Sequence, residues 1–188
     1  GKEYRLAAND GTNNLHSAPD LYHDRLWEAE TEEGALGTVI SFSLFSPDGD
    51  QGYPGNANIT VSYTLTPDDS LVIAYHMVSD SDTVANFTNH SYFNLDGQDG
   101  GNAMSQRVWI DADTYTAADA GSIPTGEIVP VAGTPMDFTA MKVIGRDIEE
   151  EYEALILGKG YDHNWILNHA PGETELSAAA ESDKTGIR

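Results

Sequence analysis

Two stretches of strict alternation limit what this chain can become. In Gly37 to Phe45, Ile40, Phe42 and Leu44 fall on one side and Ser41 and Ser43 on the other. In Asn58 to Thr66, Ile59, Val61, Tyr63 and Leu65 oppose Thr60, Ser62, Thr64 and Thr66. A period of two marks a half-buried β-strand. Leu71 to Val78 is apolar on both faces and predicts a strand covered on both sides. Pro67 to Ser70 is the turn that joins it to its predecessor as a β-hairpin. Shorter strands are predicted at Gly1 to Asn9, Arg25 to Glu30, Thr83 to Thr88, Arg107 to Ala112, Trp165 to Leu167 and Leu176 to Ala180. Ile123 to Phe138 carries Pro124, Pro130 and Pro135, so it reads as an edge strand or an extended loop. Helical spacing occurs once, in Asp147 to Leu157, where Ile148, Tyr152, Leu155 and Ile156 share a stripe and Glu149 to Glu151 suit an N-terminus. Many short strands between Gly and Pro turns predict an all-β sandwich or barrel with at most one short helix, in one domain over residues 1–188.

Charge narrows the function. Lys and Arg number 9 against 31 Asp and Glu, a net charge of −22. Such a surface repels nucleic acid and anionic membranes. The arginines are scattered, so no cluster is available for a phosphorylated substrate. Cysteine is absent, which excludes disulfides and thiolate metal sites, and His23, His76 and His169 are dispersed without metal-ligand spacing. No run is long and apolar enough to span a membrane as a helix, and the chain opens without a signal-like segment; the expectation is a cytoplasmic protein.

The chemistry concentrates in Asn86 to Leu95, NFTNHSYFNL. His90 is its one side chain that exchanges a proton near neutral pH. Asn89 and Asn94 both donate and accept hydrogen bonds, and Tyr92 and Phe93 offer flat faces for a sugar ring. The plain alternative is a strand entering a turn, with a histidine that is merely hydrogen-bonded.

NHSYFNL is similar to the signature of the aldose 1-epimerases, the galactose mutarotase family. Four further stretches agree in order: NNLH at Asn13 to His16, SPDGDQGYPGN at Ser46 to Asn56, IPTGEIVPVAGTPMDF at Ile123 to Phe138, and GYDHN at Gly160 to Asn164. The resemblance spans nearly the whole chain and implies a large antiparallel β-sandwich of the galactose mutarotase type. It implies interconversion of the α and β anomers of a free hexose such as galactose or glucose, with no cofactor. A base takes the anomeric proton, an acid protonates the ring oxygen, the ring opens, and reclosure on the other face gives the other anomer.

By the same resemblance His90 is the acid. His16 is the second active-site histidine, bonded to the sugar near the ring oxygen. Asp162 accepts hydrogen bonds from sugar hydroxyls, with Asn89 and Tyr92 completing the substrate contacts. Ser17 and Ala18 stand where the family has two glycines after this histidine, and they resist backbone angles that glycine allows. The asparagine–arginine pair and the base glutamate of the family have no counterpart here; Arg5 and Arg25 are outside the arginine motif, and Glu173, Glu175 and Glu181 follow GYDHN too soon. The expectation is a domain continued at both ends, weak catalysis by this stretch alone, and open sheet edges that invite a homodimer.

Structural readings stand beside these. His16 bonds local backbone, Asp162 braces the turn after Gly160, His163 packs, and Trp27, Tyr53, Trp109 and Trp165 serve as core or as sugar platforms. A carbohydrate-binding sandwich without catalysis is the main alternative. A glycoside hydrolase using two of Glu127, Asp137 and Asp162 is the third, and it requires one carboxyl of raised pKa.

Overall fold

A computed structural model describes residues 2–17 and 19–188. The chain divides into two compact units, residues 1–90 and 91–188. Among the described residues the strands are antiparallel, and the helical content is three 3-10 turns and one six-residue α-helix.

The first unit is a four-stranded meander of β1 (Glu28–Gly34), β2 (Gly37–Ser46), β3 (Ala57–Leu65) and β4 (Leu71–Ser79), in that order. Register explains why the alternation matters. Ile40, Phe42 and Leu44 of β2 lie opposite Tyr63, Val61 and Ile59 of β3, which lie opposite Ile73, Tyr75 and Met77 of β4. One face is therefore apolar across three strands, and Ile59 is 1% exposed. On the other face Ser41 meets Ser62 at 2.9 Å and Ser43 meets Thr60 at 3.2 Å, hydroxyl to hydroxyl. The β3–β4 hairpin forms as expected, closed by Ser70 and Thr66, with Thr66 N–H donating to the Ser70 carbonyl at 2.9 Å.

Three expectations are corrected in this unit. β4 is not covered on both faces: it is an outer strand, with Leu71, Val72 and Val78 exposed and Ile73, Tyr75 and Met77 half-buried. Residues 2–9 and 83–88 form no ladder; Gly1 lies outside the described residues. Their composition suggests strands, but neither segment is paired in a ladder. The strand expected from Arg25 begins instead at Glu28, and its charged side chains leave every residue exposed.

The second unit holds two three-stranded sheets. One orders β10 (Ala178–Glu181), β5 (Arg107–Ile110) and β8 (Lys142–Val143). The other orders β7 (Pro124–Pro130), β6 (Thr114–Ala118) and β9 (Trp165–Ile166). The proline-bearing β7 is an edge strand, as its missing N–H donors require. Tyr115, Val131, Met136 and Leu155 form the buried cluster, with Tyr152, Tyr161 and Trp165 packed against it. Tyr115 and Tyr152 share a hydroxyl–hydroxyl contact of 3.1 Å, and burial, reinforced by that contact, raises the Tyr115 phenol well above its ordinary pKa.

The helix α1 (Glu153–Gly158) is half the length expected. Tyr152 is extended (φ −112°, ψ 130°), so the run Glu149 to Glu151 lies in turns before the helix, where adjacent like charges separate more easily. Leu155 is buried, whereas Ile156, placed on the same stripe by sequence, is 63% exposed. Among the described residues no helix is long and apolar enough to cross a membrane.

Candidate active site

In the first unit His16 is presented by a tight loop built from asparagines. Asp10 and Asn13 form an isolated bridge. Asn9 then clamps the returning chain: its Nδ2 donates to the Leu15 carbonyl at 2.9 Å, and its Oδ1 accepts from Leu15 N–H at 2.7 Å. Asn14 Nδ2 donates to the Ala7 carbonyl at 2.7 Å. Asparagine side-chain amides thus do the holding. His16 and Ser17 follow in left-handed backbone, at φ 55° and 63°. That conformation costs a residue with a Cβ about 1–2 kcal/mol, so neighbouring contacts have to enforce it. Ala18 lies outside the described residues.

Those contacts come from the loop after β2. Ser17 Oγ lies 3.2 Å from Tyr53 OH. The Asp20 carbonyl accepts from Arg25 Nη2 at 2.7 Å and from Gln51 Nε2. The loop is itself braced by a two-pronged ion pair: Arg25 Nη1 donates to Asp50 Oδ2 at 2.6 Å and Nη2 to Oδ1 at 2.8 Å. Ser46 Oγ donates to the same carboxylate at 2.6 Å. The fork from Arg25, helped by Ser46, holds the Asp50 carboxyl below the usual range. Arg25 also lies over the Tyr22 ring, 5.0 Å from its centroid. Gly52 (φ 89°) must be glycine, since a Cβ there would meet the Arg5 carbonyl oxygen at 2.7 Å.

His90 arrives by another route. The segment before it is anchored by Phe87, whose ring stacks on Tyr75 of β4 with centroids 5.9 Å apart and planes 9° from parallel. Two of the resemblance-carrying motifs, far apart in sequence, then meet. The imidazoles of His16 and His90 contact edge to face, at 5.7 Å between centroids and 81° between planes. Both are solvent-exposed, as is Asn89. Two imidazoles in contact at a surface give adjacent nitrogen donors and acceptors able to hold a hydroxyl and pass a proton.

The remaining candidates lie in the second unit. Tyr92 is 90% exposed. Asp162 sits in the loop between α1 and β9, exposed, after Gly160 at φ 126°. Its backbone N–H donates to Nδ1 of His163 at 3.3 Å. His163 packs: its ring meets Tyr115 at 5.5 Å and Trp165 at 6.3 Å, and burial lowers its pKa. The large aromatics bond main chain, with Trp27 Nε1 donating to Tyr22 O, Trp109 Nε1 to Thr139 O and Trp165 Nε1 to Met136 O. Asp137 accepts from the Thr139 hydroxyl and N–H, which hold its carboxyl below the usual range. That is the opposite of what a glycosidase acid needs. A cleft of about 390 Å³, lined in part by Asp137, Arg146, Asp147 and Glu150, does not include Asp162. Among the described residues no three His, Asp or Glu side chains gather as a metal site.

The Arg25–Asp50 brace and the Asn9 clamp were not among the residues singled out from sequence. Asn13 and Asn14 before His16 mark the bridge with Asp10 and the bond to Ala7, not the Asn9 clamp; nothing local pairs Arg25 with Asp50.

Comparison with known proteins identifies the family. The family model described as Aldose 1-epimerase matches residues 1–188. Galactose mutarotase of Sus scrofa is 40% identical over 170 residues, covering 90% of this chain and 47% of the relative. Aldose 1-epimerase of Escherichia coli is 36% identical over 179 residues, covering 95% and 50%. Among solved structures, galactose 1-epimerase from Lactobacillus acidophilus superposes with a TM-score of 0.86 at 30% identity, covering 96% of this chain and 52% of that one. The chain spans about half the length of the curated relatives it matches.

Proposed function

The chain belongs to the aldose 1-epimerase family, and from that premise we propose that it interconverts the α and β anomers of a free hexose, galactose or glucose, with His90 as the acid. The contact between His16 and His90 carries the reading. Fold alone does not select a chemistry, but two exposed imidazoles from separate motifs form a site suited to one proton transfer and one hydrogen bond.

In this mechanism the protonated His90 gives its proton to the ring oxygen as the bond from that oxygen to the anomeric carbon breaks. A base takes the proton of the anomeric hydroxyl, whose oxygen becomes the aldehyde carbonyl. Rotation about the adjacent carbon–carbon bond and the reverse transfers close the ring on the other face and return the proton to His90. His16 bonds the sugar beside the ring oxygen and fixes its position against His90. Asp162, Asn89 and Tyr92 hold the hydroxyls and one ring face, the carboxylate as acceptor and the phenol ring as platform. No cofactor takes part, and we place the reaction in the cytoplasm, where free hexoses are metabolised.

Polarimetry of freshly dissolved α-galactose tests the proposal, comparing buffer, the chain and His90→Ala. The expected result is an accelerated approach to equilibrium that falls by about a hundredfold or more in the variant. A parent rate equal to buffer removes the catalytic proposal, and an unchanged rate in a folded variant removes His90 from the acid's role.

A further inference from the structure

The segment that carries His16 is left-handed at two consecutive residues that both have a Cβ. One such residue is uncommon, and two in succession persist only when the surroundings over-determine them. Upstream the enforcement is the Asn9 clamp on Leu15. Downstream the Asp20 carbonyl is held by Gln51 of the loop after β2 and by Arg25, which is itself forked to Asp50 of that loop. Between these anchors a hydrogen-bonding side chain reaches Ser17: Tyr53, whose hydroxyl lies 3.2 Å from Ser17 Oγ.

Tyr53 is well placed to be rigid. Its N–H donates to the Asp50 carbonyl at 3.0 Å, and its carbonyl accepts from Gly49 N–H at 2.9 Å. It thus inherits the fixity of the Arg25–Asp50 fork. A glycine at position 17 has no strain to restrain and no hydroxyl to hold. A serine there needs a tether, and Tyr53 supplies one.

We propose that Tyr53 is a positioning residue for His16, acting through its hydrogen bond to Ser17 to keep the His16 imidazole against His90. Tyr53 does not touch the sugar in this role. The assignment rests on the mutarotase reading for its kinetic consequence, but not for its structural one.

The test is a double-mutant cycle on the full chain with Tyr53→Phe, Ser17→Ala and the pair, read two ways. The Tyr53→Phe ring keeps its packing, so folding is retained and is checked by thermal melting. In mutarotation assays each single change lowers kcat about threefold to tenfold, the size expected when one tethering hydrogen bond is lost, with little change in KM. The pair falls no further than either single, because both remove the same bond. In proton NMR of the imidazoles, both singles shift or broaden the His16 Cε1–H resonance, and amide exchange at Leu15 to Ser17 accelerates.

Additive effects in the cycle, or an unmoved His16 resonance with unchanged amide exchange, overturn the proposal. If the parent shows no mutarotase rate, the functional reading fails. The NMR and exchange readouts then still decide whether Tyr53 holds His16.

Discussion

Phe87 lies flat on Tyr75, and this stack carries the approach to His90 across the apolar face of the first sheet. Phe87 is half-buried, and no ladder hydrogen bonds hold residues 83–88, so the ring is one attachment of the segment to the sheet. Phe87→Ala is expected to lower stability by about 2 kcal/mol, below the range for a fully buried phenylalanine. It is also expected to loosen His90 from His16. Urea denaturation reads the first effect. The second appears as a mutarotation rate reduced more than stability alone explains at a temperature where the variant is fully folded.

Arg25 and Asp50 form the brace on which the His16 loop rests, with side chains 14% and 12% exposed. Removing one partner of a pair this enclosed leaves the other desolvated and alone. Arg25→Ala is expected to cost about 3 kcal/mol, and Arg25→Lys most of that, since an ammonium cannot make the fork. Asp50→Asn with Arg25→Met is expected to be milder than Arg25→Ala alone. Chemical denaturation of the three variants checks the order.

Acid sensitivity follows from depressed carboxyls. Asp147 is held at about 2, first by hydrogen bonds from Arg146 and then by Lys142. A carboxyl with a folded pKa below its unfolded value contributes stability that is present above about pH 4 and lost as pH falls through the folded value. The melting temperature is therefore expected to decline from about pH 4 down to about pH 2. Asp147→Asn is expected to flatten this limb. It also lowers stability at neutral pH by about 3 kcal/mol, because Lys142, 4% exposed, loses its carboxylate. Melting curves at several pH values, for parent and variant, provide the comparison.

Gly158 ends α1 where a Cβ would meet His163 Cε1 at 2.7 Å. Alanine usually gains about 1 kcal/mol over glycine inside a helix. Here the contact decides the sign, because the His163 ring is confined by Tyr115 and Trp165. Gly158→Ala is expected to destabilise by about 1–2 kcal/mol and, by displacing the residue after Asp162, to weaken galactose binding. Isothermal titration of galactose into both proteins measures the binding, and a gain in stability with unchanged affinity contradicts the expectation.

Strands β2 and β3 are readable from sequence because alternation and register obey the same period, so their apolar residues find neighbours on one face; β4 is readable as a strand, but its apolar run on both faces misstates its cover. β6 and β8 escape that reading. Thr114 to Ala118 is a short run of small and polar residues, and Lys142 and Val143 are strand only because Arg107 and Val108 lie beside them. The motifs holding His16 and His90 are visible one at a time, but their meeting depends on the Asn9 clamp and the Phe87–Tyr75 stack, contacts that neither motif contains. The Arg25–Asp50 fork is less visible still, since an acid-rich chain offers one arginine many equivalent partners.

Among the described residues β1 borders its sheet with one ladder edge unpaired, and Glu28, Glu30 and Glu32 alternate along it, all exposed. A second copy aligning there brings a like-charged row against its own kind, so the border repels its own extension in dilute buffer. Salt screens that repulsion and acid discharges it. Strand-to-strand addition along this border is therefore expected to be more favourable in concentrated salt or below the carboxylate range than at neutral pH and low ionic strength.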